Sequence, residues 1–305
     1  MKAAPRGRDG GKFSECGRGM MRSKVDPVAL LRTHFPALEF RDVHIVEDGW
    51  DSLVLDLDGE WIVRFPRRPE VEQWVVREIA LLPELAPTLP VAVPRFDLIA
   101  RDGVACVGYR KLAGSPARSN LSERTGHDLA HFLSALHRFP VERASALGVP
   151  CFDPARWREH FASLCADFRR RVFPLLRSGE CERAETVFAR VQRLDFVPVL
   201  IHADLGPEHI LCRDGRVVGV IDWSDARVGD AALDLAWCLN GTPQELAAAL
   251  ARTYDVGTDV HERSLFYHRL GPWYEVIYGL ETGQEQFVAS GVEGVRARLP
   301  TSASS

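Results

Sequence analysis

No stretch of the 305 residues approaches the roughly 18 consecutive apolar positions that a membrane-spanning helix requires. The densest run, Phe196 to Ala203, is short and already contains His202. A soluble, cytoplasmic chain without a membrane partner is expected. Cysteine is sparse and unpatterned. Seven residues, at positions 16, 106, 151, 165, 181, 212 and 238, include no C-x-x-C pair, which excludes a disulfide framework and a cysteine zinc site and fits a reducing compartment. A large excess of one charge is also missing. The net charge of −4 is too mild to argue for a nucleic-acid partner, but its distribution is uneven. Residues 201–305 carry 8 Arg against 15 Asp/Glu, leaving residues 1–200 at +3. An acidic C-terminal third attracts a cationic small molecule and repels a phosphate backbone, although a solvated acidic surface reads the same way. With 46% hydrophobic and 26% charged residues, the chain is globular and long enough for two ordinary domains.

Residues 1–25 are rich in Lys, Arg and Gly and hold no apolar segment. They read as a disordered extension rather than a signal or transit peptide, with Met20 or Met21 as an alternative start. Beyond them, His44-Ile45-Val46, Ser52 to Leu57 and Trp61 to Phe65 read as antiparallel strands, the last two joined at Asp58-Gly59. Val71, Trp74, Val75, Ile79 and Leu82 follow helical spacing that the sequence predicts to end at Pro83. Phe96 to Ile99 and Val104 to Tyr109 form a further predicted hairpin around Asp102-Gly103. From Leu121 the period becomes helical, with Leu129, Phe132, Leu133 and Leu136 on one helix and Trp157, Phe161, Leu164 and Phe168 on another. Further helices are predicted over 244–252, 261–282 and 284–298, with Gly283 as a stop.

One β-rich segment interrupts the helical half. Residues 201–222 place Asp204, His209 and Asp222 around a turn at Asp214-Gly215. If that turn is a two-residue hairpin, His209 lies opposite Val220 and Asp222 opposite Pro207. The three polar side chains then line one small pocket. Two carboxylates beside a histidine point either to a metal-assisted reaction or to a buried salt-bridge network.

His202-x-Asp204-x-x-x-x-His209, followed by Ile-Asp222-Trp and by Asp225, Asp230 and Asp234, resembles the aminoglycoside phosphotransferases, relatives of the protein kinases. The resemblance is nearest to the 2″-aminoglycoside and macrolide branches. It implies an α/β (α+β) protein with a two-lobed kinase-like fold: a small antiparallel-sheet lobe over residues 26–110, a hinge at 111–114 and a larger, mainly helical lobe over 115–300. It also implies γ-phosphate transfer from ATP or GTP to an acceptor hydroxyl with Mg²⁺. Asp204 matches the catalytic aspartate that orients the hydroxyl and takes its proton. Asp222 matches the metal-binding aspartate. His209 stands where kinases usually place Asn as a second magnesium ligand, and an imidazole is the softer donor. His202 is expected to brace the loop.

The same resemblance assigns nucleotide binding to Gly49 and Ser52 in a phosphate loop, to Arg64 in the place of the kinase lysine, and to Glu78 as its partner. A guanidinium grips phosphate in a fork where lysine offers a point charge. The chain has only four lysines, so compositional bias also explains Arg64. Lys111, Leu112 and Gly114 match the segment whose backbone reads the purine. Asp225, Asp230, Asp234, Glu275 and Tyr278 are the expected acceptor-binding residues, with Glu281, Trp237, Trp273 and Tyr274 as further candidates. Asp230 also reads as a helix N-cap. Asp230 and Asp234 repel each other across one helical turn unless a cationic ligand or Arg227 intervenes. A macrolide acceptor instead calls for an apolar floor such as Leu239, Phe266, Tyr267 and Ile277. A monomer acting on a cationic small molecule is expected. A silent nucleotide-binding scaffold and a housekeeping kinase with a sugar, choline-like or homoserine-like acceptor are the competing readings.

Overall fold

The computed structural model describes residues 26–48, 51–100 and 106–301. The extension at 1–25, Gly49 and the Asp102-Gly103 turn lie outside the described residues. Two units emerge, one taking in residues up to 83 and 94–112, the other 84–93 and 113 onward.

In the first unit, Asp26 accepts the Val28 N–H at 2.9 Å and Pro27 presets the first turn of α1 (Pro27–His34). Five strands follow: β1 (Val43–Asp48), β2 (Ser52–Leu57), β3 (Trp61–Pro66), β4 (Phe96–Ile99) and β5 (Val107–Arg110). They form an antiparallel sheet in the order β1-β2-β3-β5-β4. Asp58 and Gly59 both adopt positive φ between β2 and β3, a conformation that glycine enters freely and aspartate more readily than most residues. Leu31, Leu55, Leu57, Val63, Phe65 and Cys106 close the core under the sheet. The helix between β3 and β4, α2 (Pro69–Leu85), runs past Pro83 instead of stopping there. Proline removes one helical N–H, but so near the C-terminus only the last turn bears that loss.

The second unit begins with β6 (Ser115–Pro116), α3 (Glu123–Leu136), α4 (Val141–Ala146), α5 (Pro154–Arg171) and α6 (Ser178–Phe188). Next come β7 (Val199–Ile201), β8 (Ile210–Arg213), β9 (Arg216–Val220) and β10 (Arg227–Gly229). Four helices complete it: α7 (Leu235–Asn240), α8 (Gln244–Tyr254), α9 (Thr258–Thr282) and α10 (Glu285–Arg298). β10 pairs with β7, and β6, β8 and β9 form a second small sheet. Residues 84–93 join this unit because Ala92 exchanges hydrogen bonds with Val218 and Val220, so the first unit is interrupted in sequence between residues 83 and 94.

Trp157, Phe161, Phe168, Phe266 and Trp273 build the main core, each burial contributing about 1.5–3 kcal/mol. Gly126 lets α3 approach α8, since a Cβ there would stand 2.4 Å from the Leu246 carbonyl oxygen. Pro272 inside α9 leaves the His268 carbonyl without its helical donor, and Arg298 Nη1 of α10 supplies one at 2.6 Å. Gly283, at φ +69°, ends α9.

The β8–β9 hairpin departs from the expected register. Arg213 pairs with Arg216 and Cys212 with Val217 as a two-residue turn dictates, but Leu211 then pairs with Gly219 and Ile210 with Val220. A bulge at the extra residue, Val218, shifts every later pair by one. Ile221, not Val220, therefore faces His209, its N–H bonding the His209 carbonyl at 2.9 Å.

Candidate active site

Strand β7 delivers His202, Ala203 and Asp204, and β9 delivers Asp222, to one end of the second unit. Two backbone kinks aim them. Ala203 has φ +68° and Asp222 φ +61°, left-handed conformations that cost a non-glycine residue about 1–3 kcal/mol and persist only where surroundings enforce them. For Ala203 the enforcing group is Asp234. Its carboxylate, with no solvent exposure, accepts the His202 N–H on Oδ2 and the Ala203 N–H on Oδ1, both at 2.8 Å.

His202 is itself fully buried, edge-on to Trp223 at 4.8 Å. Its Nδ1 accepts the Asp204 N–H at 3.3 Å, so its Nε2 carries the proton donated to the Ile221 carbonyl at 3.0 Å. Burial holds its pKa below the usual histidine value, and the neutral ring fastens the two aspartate-bearing segments together.

His209 does the bridging. Its Nδ1 donates to the Asp204 carbonyl at 2.7 Å and lies 3.6 Å from Asp204 Oδ2, while Nε2 stands 3.7 Å from Asp222 Oδ2. Burial alone would depress this imidazole, yet the charges of Asp204 and Asp222 and the bond to the Asp204 carbonyl raise its pKa overall. A position between Nε2 and the Asp222 carboxylate thus favours a cation, whether a proton or a metal. Ser224 Oγ donates to Asp222 Oδ1 at 2.8 Å and fixes that carboxylate. One carboxylate and one imidazole fit Mg²⁺ as a partial ligand set, because Mg²⁺ keeps several waters and takes phosphate oxygens for the rest. The imidazole is the weaker of the two donors.

The expected acceptor residues separate into groups. Asp225, next to the site, is bound to Arg227 Nη2 at 2.8 Å. Tyr274, half-buried, senses the charges of Arg227, Asp225 and Asp204, and burial raises its phenol well above the ordinary value. Asp230 and Asp234 are not surface groups, which corrects their reading as acceptor ligands. Asp230 caps the Ala232 N–H at 3.0 Å and receives Arg263 Nε at 2.7 Å and the Tyr267 hydroxyl at 2.9 Å, with zero exposure. The repulsion between the two acids is relieved internally, by Arg263 and by backbone N–H groups, rather than by Arg227 or a ligand. Glu275 accepts Ser290 Oγ, Tyr278 packs edge-on to Phe287, and Glu281 pairs with Arg171, so these three serve the α9–α10 face and α5. Trp273 and the proposed apolar floor, Leu239, Phe266, Tyr267 and Ile277, are core residues.

In the first unit, Arg64 Nη1 reaches both oxygens of Glu78 at 3.1 and 2.9 Å, in a pair that is almost wholly buried. Ser52 Oγ is buried with no hydrogen-bond partner among the described residues. Lys111 Nζ is held by Asp56 Oδ2 at 2.6 Å, and Leu112 is half-buried. Gly114, in the second unit at φ +102°, has a packing reason to be glycine: a Cβ would stand 2.8 Å from Val218 Cγ2. His137 bonds Asp234, Tyr254 bonds His137 and Ser224 bonds Asp222, through contacts distant in the chain or too short-range to leave a pattern in the sequence.

A profile described as the phosphotransferase enzyme family matches residues 42–267. Among curated relatives, viomycin phosphotransferase of Streptomyces vinaceus is 28% identical over 61% of this chain and 68% of its own. A homoserine kinase of Gluconacetobacter diazotrophicus is 34% identical over 49% and 48% respectively. Among solved structures, the GDP and kanamycin complex of APH(2″)-IIIa superposes with a TM-score of 0.81 at 24% identity, covering 89% of this chain and 97% of that one. Macrolide 2′-phosphotransferase MphH from Brachybacterium faecium gives 0.70 at 26% identity over 91% and 98%. The shared architecture is kinase-like, a small antiparallel-sheet lobe followed by a helical one.

Proposed function

Because the chain belongs to the phosphotransferase enzyme family, we propose that it transfers the γ-phosphate of ATP or GTP to a hydroxyl of an aminoglycoside, with Mg²⁺. The observation that carries this reading is His209 standing between Asp204 and Asp222, within 3.7 Å of each. Asp204 orients the acceptor hydroxyl and receives its proton. His202 and Asp234 hold the loop that presents it, and positioning of this kind supplies most of what phosphoryl transfer asks of a protein. Asp222 and His209 Nε2 would hold the metal, which when bound neutralises charge on the transferring oxygens.

Ser52 Oγ, an unsatisfied buried hydroxyl, suits a phosphate oxygen, and Arg64 braced by Glu78 suits a second. The backbone of Lys111 to Gly114 would read the base. For the acceptor, the reading rests on Asp225 and Tyr274 beside Asp204, on the −7 charge of residues 201–305, and on the kanamycin-bound neighbour. A second reading, a metabolite alcohol as acceptor, is favoured by the homoserine kinase relative.

The test is mass spectrometry of aminoglycosides, macrolides, viomycin and homoserine after incubation with the protein, Mg²⁺ and either nucleotide. A monophosphorylated aminoglycoside is expected. Phosphorylated homoserine or macrolide alone overturns the acceptor, and no product with any pair overturns the reaction.

A further inference from the structure

Asp234 does more than receive the catalytic-loop amides. On Oδ2 it also meets His137 Nε2 at 3.2 Å, and the other ring nitrogen of His137 lies 2.7 Å from the Tyr254 hydroxyl. A carboxylate oxygen accepts from Nε2, and the tautomer that places the hydrogen there leaves Nδ1 to accept from the Tyr254 hydroxyl. The His137 side chain is 5% exposed and that of Asp234 0%. Burial, then the charges of Asp234 and Asp230, push the Tyr254 phenol up to about 12, which keeps the donor protonated.

His137 caps α3 and Tyr254 is the last residue of α8. These two helices are locked by the close approach at Gly126 and by the His127–Thr253 hydrogen bond of 2.7 Å. The far end of a rigid helix pair is therefore wired, through one carboxylate, to the amides of His202 and of the strained Ala203. Without a partner behind it, that carboxylate is fixed only by the loop it is meant to hold.

We infer that Tyr254 and His137 are positioning residues for phosphoryl transfer, acting through Asp234 to hold His202-Ala203 and thereby Asp204. The inference rests on the proposed reaction, in which Asp204 meets the acceptor. Removing an outer partner of a metal ligand typically costs about 10–100-fold in activity, and a comparable range is expected for the partner of a carboxylate that positions the loop. Tyr254→Phe, which keeps the ring, and His137→Ala are expected to lower kcat within that range while the KM for nucleotide stays put. The double variant is expected to lose no more than His137→Ala alone, because both cut the same chain. His137→Gln, with one amide donor and one acceptor, is expected to recover most of the loss.

A second measurement needs no substrate. Amide exchange at His202 and Ala203 is expected to accelerate by roughly fivefold to tenfold in Tyr254→Phe, the equivalent of about one hydrogen bond. Wild-type kcat and unchanged exchange at these amides in both variants overturn the inference, as do losses that merely follow the melting temperature. If the wild type phosphorylates nothing, the reaction falls, while the exchange at His202 and Ala203 still decides the positioning role.

Discussion

Two sets of aspartates stand close together in the second unit and live in opposite surroundings. Asp204 and Asp222 keep side-chain exposures of 27% and 42% and share one imidazole. Asp230 and Asp234 keep none and are surrounded by donors: an arginine, a tyrosine and a capped amide for the first, two backbone amides and a histidine for the second. A carboxylate saturated by donors in the interior is structural, because nothing else can reach it and stripping it leaves orphaned donors. A carboxylate at the rim, presented by a kinked backbone, stays partly open to solvent. Sequence spacing alone makes all four look equivalent; burial separates them.

The sharpest way to break this comparison is at Asp204. Asp204→Ala is expected to lower kcat by about 10²–10⁴-fold, the usual worth of general-base assistance, with nucleotide affinity and melting temperature little changed. Asp222→Ala is expected to abolish the Mg²⁺-dependent part of nucleotide binding, read by titration with and without the metal, again without loss of stability. Near-normal turnover in the first variant, or Mg²⁺-dependent binding retained in the second, would put these residues in the structural set.

The converse variant is Asp230→Ala. It leaves Arg263 buried without its main partner and the Tyr267 hydroxyl without its acceptor, so a destabilisation of about 3–5 kcal/mol is expected in denaturant titration. Activity per folded molecule should persist at low temperature. Arg263→Met in the same background should restore part of the loss, since it removes the uncompensated charge. No rescue would mean that the cap on Ala232, rather than the ion pair, carries the cost.

How much of this the sequence discloses depends on the range of the interaction. The strands β2 and β3, the helices α3, α5, α9 and α10, and the stop at Gly283 are written in local periodicity and turn chemistry, and they stand within a few residues of where they were expected. The Asp204, His209, Asp222 constellation is legible because a single hairpin joins its members. The bulge at Val218 is not, since one unpaired residue leaves no trace in an alternating apolar pattern. Pro83 misled because proline near a helix end weakens a single turn rather than breaking it. Asp230 and Asp234 read from the sequence as acceptor groups because their partners, Arg263, Tyr267 and His137, lie far along the chain, and only the assembled core brings them into reach.

Acid sensitivity divides the same two regions once more, with a smaller effect. His268 lies away from the site, on α9, beside the carbonyl freed by Pro272 and capped by Arg298. Burial, then the charges of Arg298 and Arg269, lower its pKa to about 4. In the unfolded chain a histidine titrates near 6.5, so the unfolded state takes up a proton that the folded state refuses. Stability contributed by the neutral ring is therefore present above about pH 6.5 and drains away as the pH falls toward 4. Thermal unfolding between these limits should show a falling melting temperature, and His268→Gln should flatten that slope without altering kcat at neutral pH. A slope that survives the substitution would move the acid-labile group elsewhere. A loss of neutral-pH kcat would tie the α9–α10 contact to the rim carboxylates that the burial pattern sets apart from it.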